Sequence, residues 1–338
     1  MDSSFISALK EQLSYSRKIV ILPHKNPDGD ALGSALALFH YLKMKDHDVV
    51  VISPNDYPNF LKWLPGEETL LKYSIQAQIC NEKLEQADLI FTLDFNALSR
   101  VEEMEGAVKN VAAEMIMIDH HEQPENYASL QYSDPQMSST SEMVYHVINT
   151  LESNALNKSI ATCLYTGIMT DTGSFRFPST TPTTHRVIAH LIELGAQSSS
   201  IHEKVYDASS ISRIKLLGVT LSNLKIIEGL PVAYMTLSRA ELQACNYKKG
   251  DTEGFVNYGL SLDGIEFSCI MIENEDQDKI KMSFRSQGDF SVNTFARTYF
   301  EGGGHINAAG GMSLDSLEKT VKRFEDAVNE IAHYWIKK

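Results

Sequence analysis

Cysteine is scarce in this chain. Cys80, Cys163, Cys245 and Cys269 stand far apart without a CxxC pair, which excludes a zinc ribbon and a disulfide framework and leaves them as reduced core residues. Long hydrophobic runs are missing too. Nothing approaches the roughly 18 apolar residues of a membrane span, and the opening "MDSSFISALKEQLSYSRK" lacks the apolar block of a signal peptide. Positive charge is in deficit, with 30 Lys and Arg against 44 Asp and Glu and a formal net charge of -14. A broad grip on duplex DNA or anionic lipid needs clustered cations, so both are excluded as expectations. A small phosphorylated substrate held in a local pocket is not. With no low-complexity tract or fixed-period repeat either, the expectation is a cytoplasmic enzyme or binding protein with no membrane attachment.

What is present is a globular composition, 43% hydrophobic and 22% charged over 338 residues, enough for two domains. In the first half the β-rich runs "KIVILPH", "DVVVIS", "ADLIFTLD" and "EMIMID" alternate with helical spacing in "DALGSALALFHYLKMK" and "EMVYHVINTLES". That alternation predicts an α/β fold, a parallel sheet with helices on both faces. Asp30 and Ser141 lie near plausible helix starts, and "SIATCLYTGIMTDTGSF" reads as a further helix with Asp171 near its C-terminal end. Later, "LPVAYMTLS", "GIEFSCIMIEN" and "KIKMSFRSQG" predict strands of a second, mixed sheet, closed by a helix over "SLEKTVKRFEDAVNEIAHYW". We therefore expect a first domain over 1–210, a linker over 211–222 and a smaller α/β domain over 223–338.

The ends of the apolar strands carry unusual polarity. "KIVILPH" ends at His24, followed by Asn26, Asp28 and Asp30; "FTLD" ends at Asp94; "EMIMID" ends at Asp119, followed by His120 and His121. In open α/β sheets ligands bind beyond the carboxyl ends of the strands, so three strands deliver acids and imidazoles to one edge. Each piece alone has a plain reading: "NPDGD" is a turn sequence, an HH pair is usually structural, and Asp94 is a candidate helix cap. Together, several carboxylates at one edge repel each other unless a cation sits between them. Mixed carboxylate and imidazole donors suit Mn²⁺, Fe²⁺, Co²⁺ or Zn²⁺. Asp28, Asp30, Asp94, Asp171, His24 and His120 suffice for two ions if one carboxylate bridges. Such a pair activates a shared water and stabilises phosphoryl charge, so no protein nucleophile is required.

The second half contains "RSQGDFSVNTFARTYFEGGGHINAAGG". Gly302, Gly303 and Gly304 permit an anion-binding nest of peptide N–H groups beside His305, although a glycine triplet is more often a turn. Arg285, ending a predicted strand, is placed to grip a phosphate bidentately.

The ordered motifs "HKNPDGDALGS", "LDFNALSR", "DHHEQP", "TDTGSFRF" and "GGGHINAAGG" resemble the DHH phosphoesterase family with an appended DHHA1 domain, and within it the nanoRNase and pAp phosphatase branch. The resemblance covers nearly the whole chain. It implies two divalent ions, commonly Mn²⁺, with His24, Asp28 and Asp94 on one and Asp30, Asp94, His120 and Asp171 on the other, Asp94 bridging. It implies that His121 faces the phosphate, that Asp119 orients His120 or its neighbours, and that Asn26 supports the site or contacts substrate. In similar proteins the DHHA1 domain holds the nucleotide, which maps onto Gly302, Gly303, Gly304, His305 and Arg285. Arg100 is a further substrate candidate, with an ion pair as its alternative, and Arg176 has no ranked role. The implied activity is hydrolysis of short single-stranded RNA to mononucleotides and of 3'-phosphoadenosine 5'-phosphate (pAp) to AMP, by a homodimer. Relatives with the same centre act on cyclic or linear dinucleotides, pyrophosphate, polyphosphate or single-stranded DNA, and a nucleotide sensor without catalysis is the alternative from another class.

Overall fold

The computed structural model describes residues 3–273 and 279–336. It divides into two units, Met1–Ala208 and Ser209–Lys338. In the first, the elements run α1 (Ser3–Gln12), β1 (Lys18–Pro23), α2 (Gly29–Lys43), β2 (Asp48–Ser53), β3 (Leu71–Lys72), α3 (Tyr73–Glu85), β4 (Leu89–Leu93), α4 (Glu105–Lys109), β5 (Glu114–Asp119), β6 (Leu130–Ser133), α5 (Thr140–Glu152), α6 (Lys158–Asp171), α7 (Pro182–Glu193) and α8 (Ser198–Tyr206). The sheet order is β3-β2-β1-β4-β5-β6, and every pairing is parallel.

The four expected strands are its inner members, and their side chains alternate between two cores. Ile19 and Ile21 of β1 join Leu89, Phe91 and Leu93 of β4 on one face, where α2, α5 and α6 pack. Val20 and Leu22 join Ile90, Cys80 and Leu84 on the other. Burial on both faces is why these strands read as continuous apolar runs. The chain winds outward from β1 to β3, then returns to β4 and winds the other way. The order therefore reverses between β1 and β4, the place in open α/β sheets beyond whose strand ends ligands bind.

Helices α2 and α6 pack unusually close. A Cβ at Gly33 would lie 2.6 Å from the Cys163 carbonyl oxygen, and one at Gly167 would lie 2.9 Å from Asp30 Oδ1. Only glycine permits that approach. Both helix starts lie where the sequence placed them, near Asp30 and Ser141. Asp28 caps α2 by accepting from the amides of Asp30 and Ala31, and Ser139 caps α5 by accepting from Glu142. Asp30 and Ser141 thus sit in first turns.

The second unit runs α9 (Ile211–Ser222), β7 (Lys225–Ile226), β8 (Val232–Leu237), α10 (Arg239–Ala244), β9 (Phe267–Glu273), β10 (Ile280–Ser286), α11 (Val292–Tyr299), β11 (Gly303–Gly304), β12 (Ala308–Ser313), α12 (Leu317–Glu330) and α13 (His333–Ile336). Its sheet, ordered β11-β12-β10-β9-β8-β7, is mixed: β8 and β9 are parallel and the other pairs antiparallel. Asn274, which ends the expected strand "GIEFSCIMIEN", lies outside the described residues. The core is aromatic, with Phe267, Phe284, Phe295, Phe300, Phe324 and Trp335 packed together. Residues 211–222, expected as a linker, form α9 instead. Its Leu216 is buried against Met235 and Leu237, so the stretch packs as part of this unit's second hydrophobic cluster.

Candidate metal centre

Three neighbouring strands supply the first side chains. His24 follows β1, Asp94 follows β4, and Asp119, His120 and His121 end and follow β5. Asp94 is held at φ 66, a left-handed conformation that costs a non-glycine residue energy and marks functional sites. It does not cap a helix, since the turn after it starts at Ala97 without a side-chain cap. Asp28 and Asp30 enter on the first turn of α2, and Asp171 is the last residue of α6.

The donors fall into two sets. Around His24 Nε2 lie Asp94 Oδ2 at 3.5 Å and Asp28 Oδ2 at 3.8 Å. Around His120 Nε2 lie Asp171 Oδ2 at 3.4 Å, Asp94 Oδ1 at 3.5 Å and Asp30 Oδ2 at 3.9 Å. Asp94 belongs to both, one oxygen to each. These separations exceed the ~2.7–2.9 Å of a charge-assisted hydrogen bond. The separations of 3.4 to 3.5 Å match donors about 2.1 Å from a shared ion, whose mutual spacing is about 3 to 3.5 Å, and those to Asp28 and Asp30 are a few tenths of an ångström wider.

The second ring nitrogens support the same reading. His24 Nδ1 lies 2.8 Å from the Lys25 carbonyl and His120 Nδ1 3.1 Å from the Met137 carbonyl. A carbonyl only accepts, so each Nδ1 carries the proton, leaving Nε2 as the nitrogen aimed at the carboxylates and suited to ligation. The donor chemistry therefore fits two divalent cations, and the formal charge of Asp28, Asp30, Asp94 and Asp171 is what two such ions cancel.

Electrostatics point the same way. Burial, reinforced by the neighbouring Asp30 and Asp28 charges, holds the Asp94 carboxyl well above its ordinary range, and burial also raises Asp30. Burial pushes the His24 imidazole down, but Asp28 and Asp94 more than reverse this, to about 10. His120 is raised as well, its burial outweighed by Asp94 and Asp30. Asp30 and Asp94 are only 1% and 2% exposed, so ionising them there is costly, and a bound cation would offset that cost.

His121 adjoins these donors and, with Asp94 and Asp119, forms a further group close enough to hold an ion. Its Nδ1 lies 2.7 Å from Asp119 Oδ1 and 3.8 Å from Asp94 Oδ1, and burial lowers its pKa. Asp119 thus orients His121, whereas His120 is oriented by the Met137 carbonyl.

Other predicted residues fare variously. Asn26 is exposed, at φ 54, and exchanges two 2.7 Å hydrogen bonds with Asn55, tying together the loops after β1 and β2. Arg100 is exposed, its carbonyl accepts from the Lys25 amide at 2.8 Å, and its charge helps lower the His121 pKa. The alternative ion pair near this loop is made by Lys25 with Glu102. Arg176 donates from Nε to the Gly173 carbonyl at 2.7 Å. In the second unit Arg285 lies half-buried on β10 and donates to the Phe284 carbonyl at 2.9 Å. The glycine triplet leads into a β-hairpin. Gly303 and Gly304 pair with β12, Gly302 N donates to the Ala296 carbonyl, and His305 N donates to the Ala308 carbonyl. The Gly302 and His305 amides are thus engaged within the main chain.

One segment escaped the sequence reading. Ser138, Ser139, Thr140, Ser141 and Glu142 are polar, consecutive and all buried. Asp30 Oδ2 accepts from Thr140 N at 2.7 Å, Asp30 Oδ1 from Ser141 N at 2.8 Å, and Asp94 Oδ1 from the Thr140 hydroxyl at 3.0 Å. The available signal was a run of hydroxyls ahead of an apolar helix, more than one cap requires.

Comparison with known proteins is consistent with this geometry. A family model described as "DHH family, N-terminal domain" matches residues 18–168, and one described as "DHHA1 domain" matches residues 230–334. The bifunctional oligoribonuclease and PAP phosphatase NrnA of Thermus thermophilus is 33% identical over 316 residues, covering 92% of this chain and 89% of that protein. The cyclic-di-AMP phosphodiesterase GdpP of Bacillus subtilis is 28% identical over 96% of this chain and 49% of its own length. A crystal structure of an exopolyphosphatase-related protein from Bacteroides fragilis superposes with a TM-score of 0.94 at 40% identity, covering 98% of both chains.

Proposed function

The chain belongs to the DHH family of phosphoesterases and carries a DHHA1 domain, and on that premise we propose that it is a Mn²⁺-dependent phosphohydrolase that trims short oligoribonucleotides to mononucleotides and converts pAp to AMP. The observation that carries this reading is the pair of donor sets joined through Asp94. Bound divalent ions there would supply Lewis-acid activation of water and charge neutralisation at the phosphoryl group. His24, Asp28 and Asp94 would hold one, and Asp30, Asp94, His120 and Asp171 the other.

The remaining work falls to side chains that hold no ion. Asp119 fixes the Nδ1 proton of His121 and directs the Nε2 lone pair toward the reacting phosphate, where it takes a proton from the attacking water and passes that proton to the leaving oxygen. Arg100 supplies positive charge beside His121. In the DHHA1 domain, Arg285, His305 and Gly302, Gly303 and Gly304 contact a nucleotide phosphate, which favours short ends over long polymers. The overall negative charge supports that preference.

A second reading, a cyclic- or linear-dinucleotide phosphodiesterase, is favoured by the likeness to GdpP along 96% of the chain. A catalytically silent sensor is disfavoured, because such a protein has no need to keep every donor. Purified protein with Mn²⁺, given pAp, RNA of two to five nucleotides, cyclic di-AMP, its linear product, polyphosphate and pyrophosphate in parallel, separates these. Fastest release from pAp and short RNA supports the proposal. Fastest cleavage of cyclic di-AMP replaces it with the second reading, and binding without turnover on any substrate replaces it with the sensor.

A further inference from the structure

Asp94 can serve two ions only if its carboxylate plane keeps one orientation, with one oxygen toward His120 and the other toward His24. The terminal torsion of an aspartate is broad and roughly two-fold, so backbone position alone does not set it. Among the described contacts, one protein hydroxyl reaches this carboxylate: Thr140 Oγ1 donates to Asp94 Oδ1 at 3.0 Å. Thr140 is fully buried at the first position of α5, and its amide donates to Asp30 Oδ2 at 2.7 Å. A β-branched side chain at a helix start has little χ1 freedom, so the backbone that positions the amide also aims the hydroxyl. One residue thus ties Asp94 to Asp30, whose oxygen faces the second donor set.

We propose that Thr140 is a positioning residue for the two-ion centre, and that its hydroxyl fixes the rotation of Asp94 that lets the carboxylate bridge. The proposal rests on the two-ion reading given above. Gly167 belongs to the same arrangement, since its missing Cβ leaves room for Ser141 and Asp30 beneath α5.

The test is a Mn²⁺ titration of the full chain by calorimetry, with electron paramagnetic resonance to detect coupling between paired ions. Thr140→Val keeps the shape and deletes the hydroxyl, and Thr140→Ser keeps the hydroxyl. Loss of an orienting partner typically weakens metal affinity by about 10- to 100-fold. We expect a loss of that size for the weaker ion in Thr140→Val, reduced spin coupling, and recovery of kcat at saturating Mn²⁺. Thr140→Ser should stay close to the native chain. Thr140→Ala serves the same comparison if the valine variant fails to fold. Unchanged affinity and coupling in Thr140→Val, or an equal loss in Thr140→Ser, overturns the proposal. A native chain that takes up no second ion overturns the two-ion reading itself, and the role of Thr140 with it.

Discussion

Asp119 and His121 form a pair that neither donor set uses, which makes them the residues where chemistry and ion binding can be separated. Asp119 is fully buried and its Oδ1 accepts a hydrogen bond from His121 Nδ1 at 2.7 Å. Proton transfer by a positioned side chain contributes about 10²- to 10⁴-fold to rate. We expect His121→Ala to lower kcat within that range while Mn²⁺ content, measured by atomic emission, stays native. Asp119→Asn offers an amide to Nδ1, favours the wrong tautomer and should act in the same direction. Native kcat in either variant, or loss of the ions, contradicts this division of labour. At this scale much of the candidate site was legible: His24, Asp94, Asp119, His120 and His121 stand where apolar strands end, and polarity at a strand end is visible in sequence. Thr140 was not. Its partner Asp94 is 46 residues away, and a hydroxyl's destination depends on how α5 docks.

Helices α2 and α6 carry Asp30 and Asp171 and meet through glycines, so the spacing of two helices sets the spacing of two donors. Gly33→Val would force a side chain against the Cys163 carbonyl, 2.6 Å from where its Cβ must lie. Overpacking of this kind costs about 1–3 kcal/mol. Urea unfolding should show that loss, and the Mn²⁺ titration should show weakened binding, because Asp30 moves with α2. An unchanged unfolding midpoint would mean that the helices do not depend on this contact. The inner strands β1, β2, β4 and β5 were legible as apolar runs. β3 and β6 were not, being two and four residues long at the sheet edges, too short for a periodic signal. Asp28 and Ser139 hold the first-turn amides as caps, which leaves the Asp30 side chain for the centre. The glycine triplet reads more often as a turn than as a nest, and its pairing with β12 as a hairpin depends on a partner strand the triplet alone does not reveal.

The two units have separate hydrophobic cores, none of them built on the candidate ion ligands. Chelation should therefore leave the far-ultraviolet circular dichroism of the fold in place while removing the stability that binding adds. That contribution is about 2.7 kcal/mol per site at a hundredfold excess over Kd. Collapse of secondary structure on chelation would contradict it. Among the described residues no helix is long and apolar enough to cross a membrane, in keeping with the lack of long apolar runs in the sequence. The α/β architecture and the mixed second sheet were legible in the alternation of runs. The place of α9 was not, because a helix beside a domain boundary looks the same from either side. The claim on which all of this depends is that turnover needs both donor sets filled. It is tested most directly by adding Mn²⁺ stepwise to chelator-stripped protein while following mononucleotide release from a diribonucleotide. Release should remain near zero through the first equivalent and rise as the second binds; turnover in metal-free protein, or full turnover at one equivalent, would contradict it.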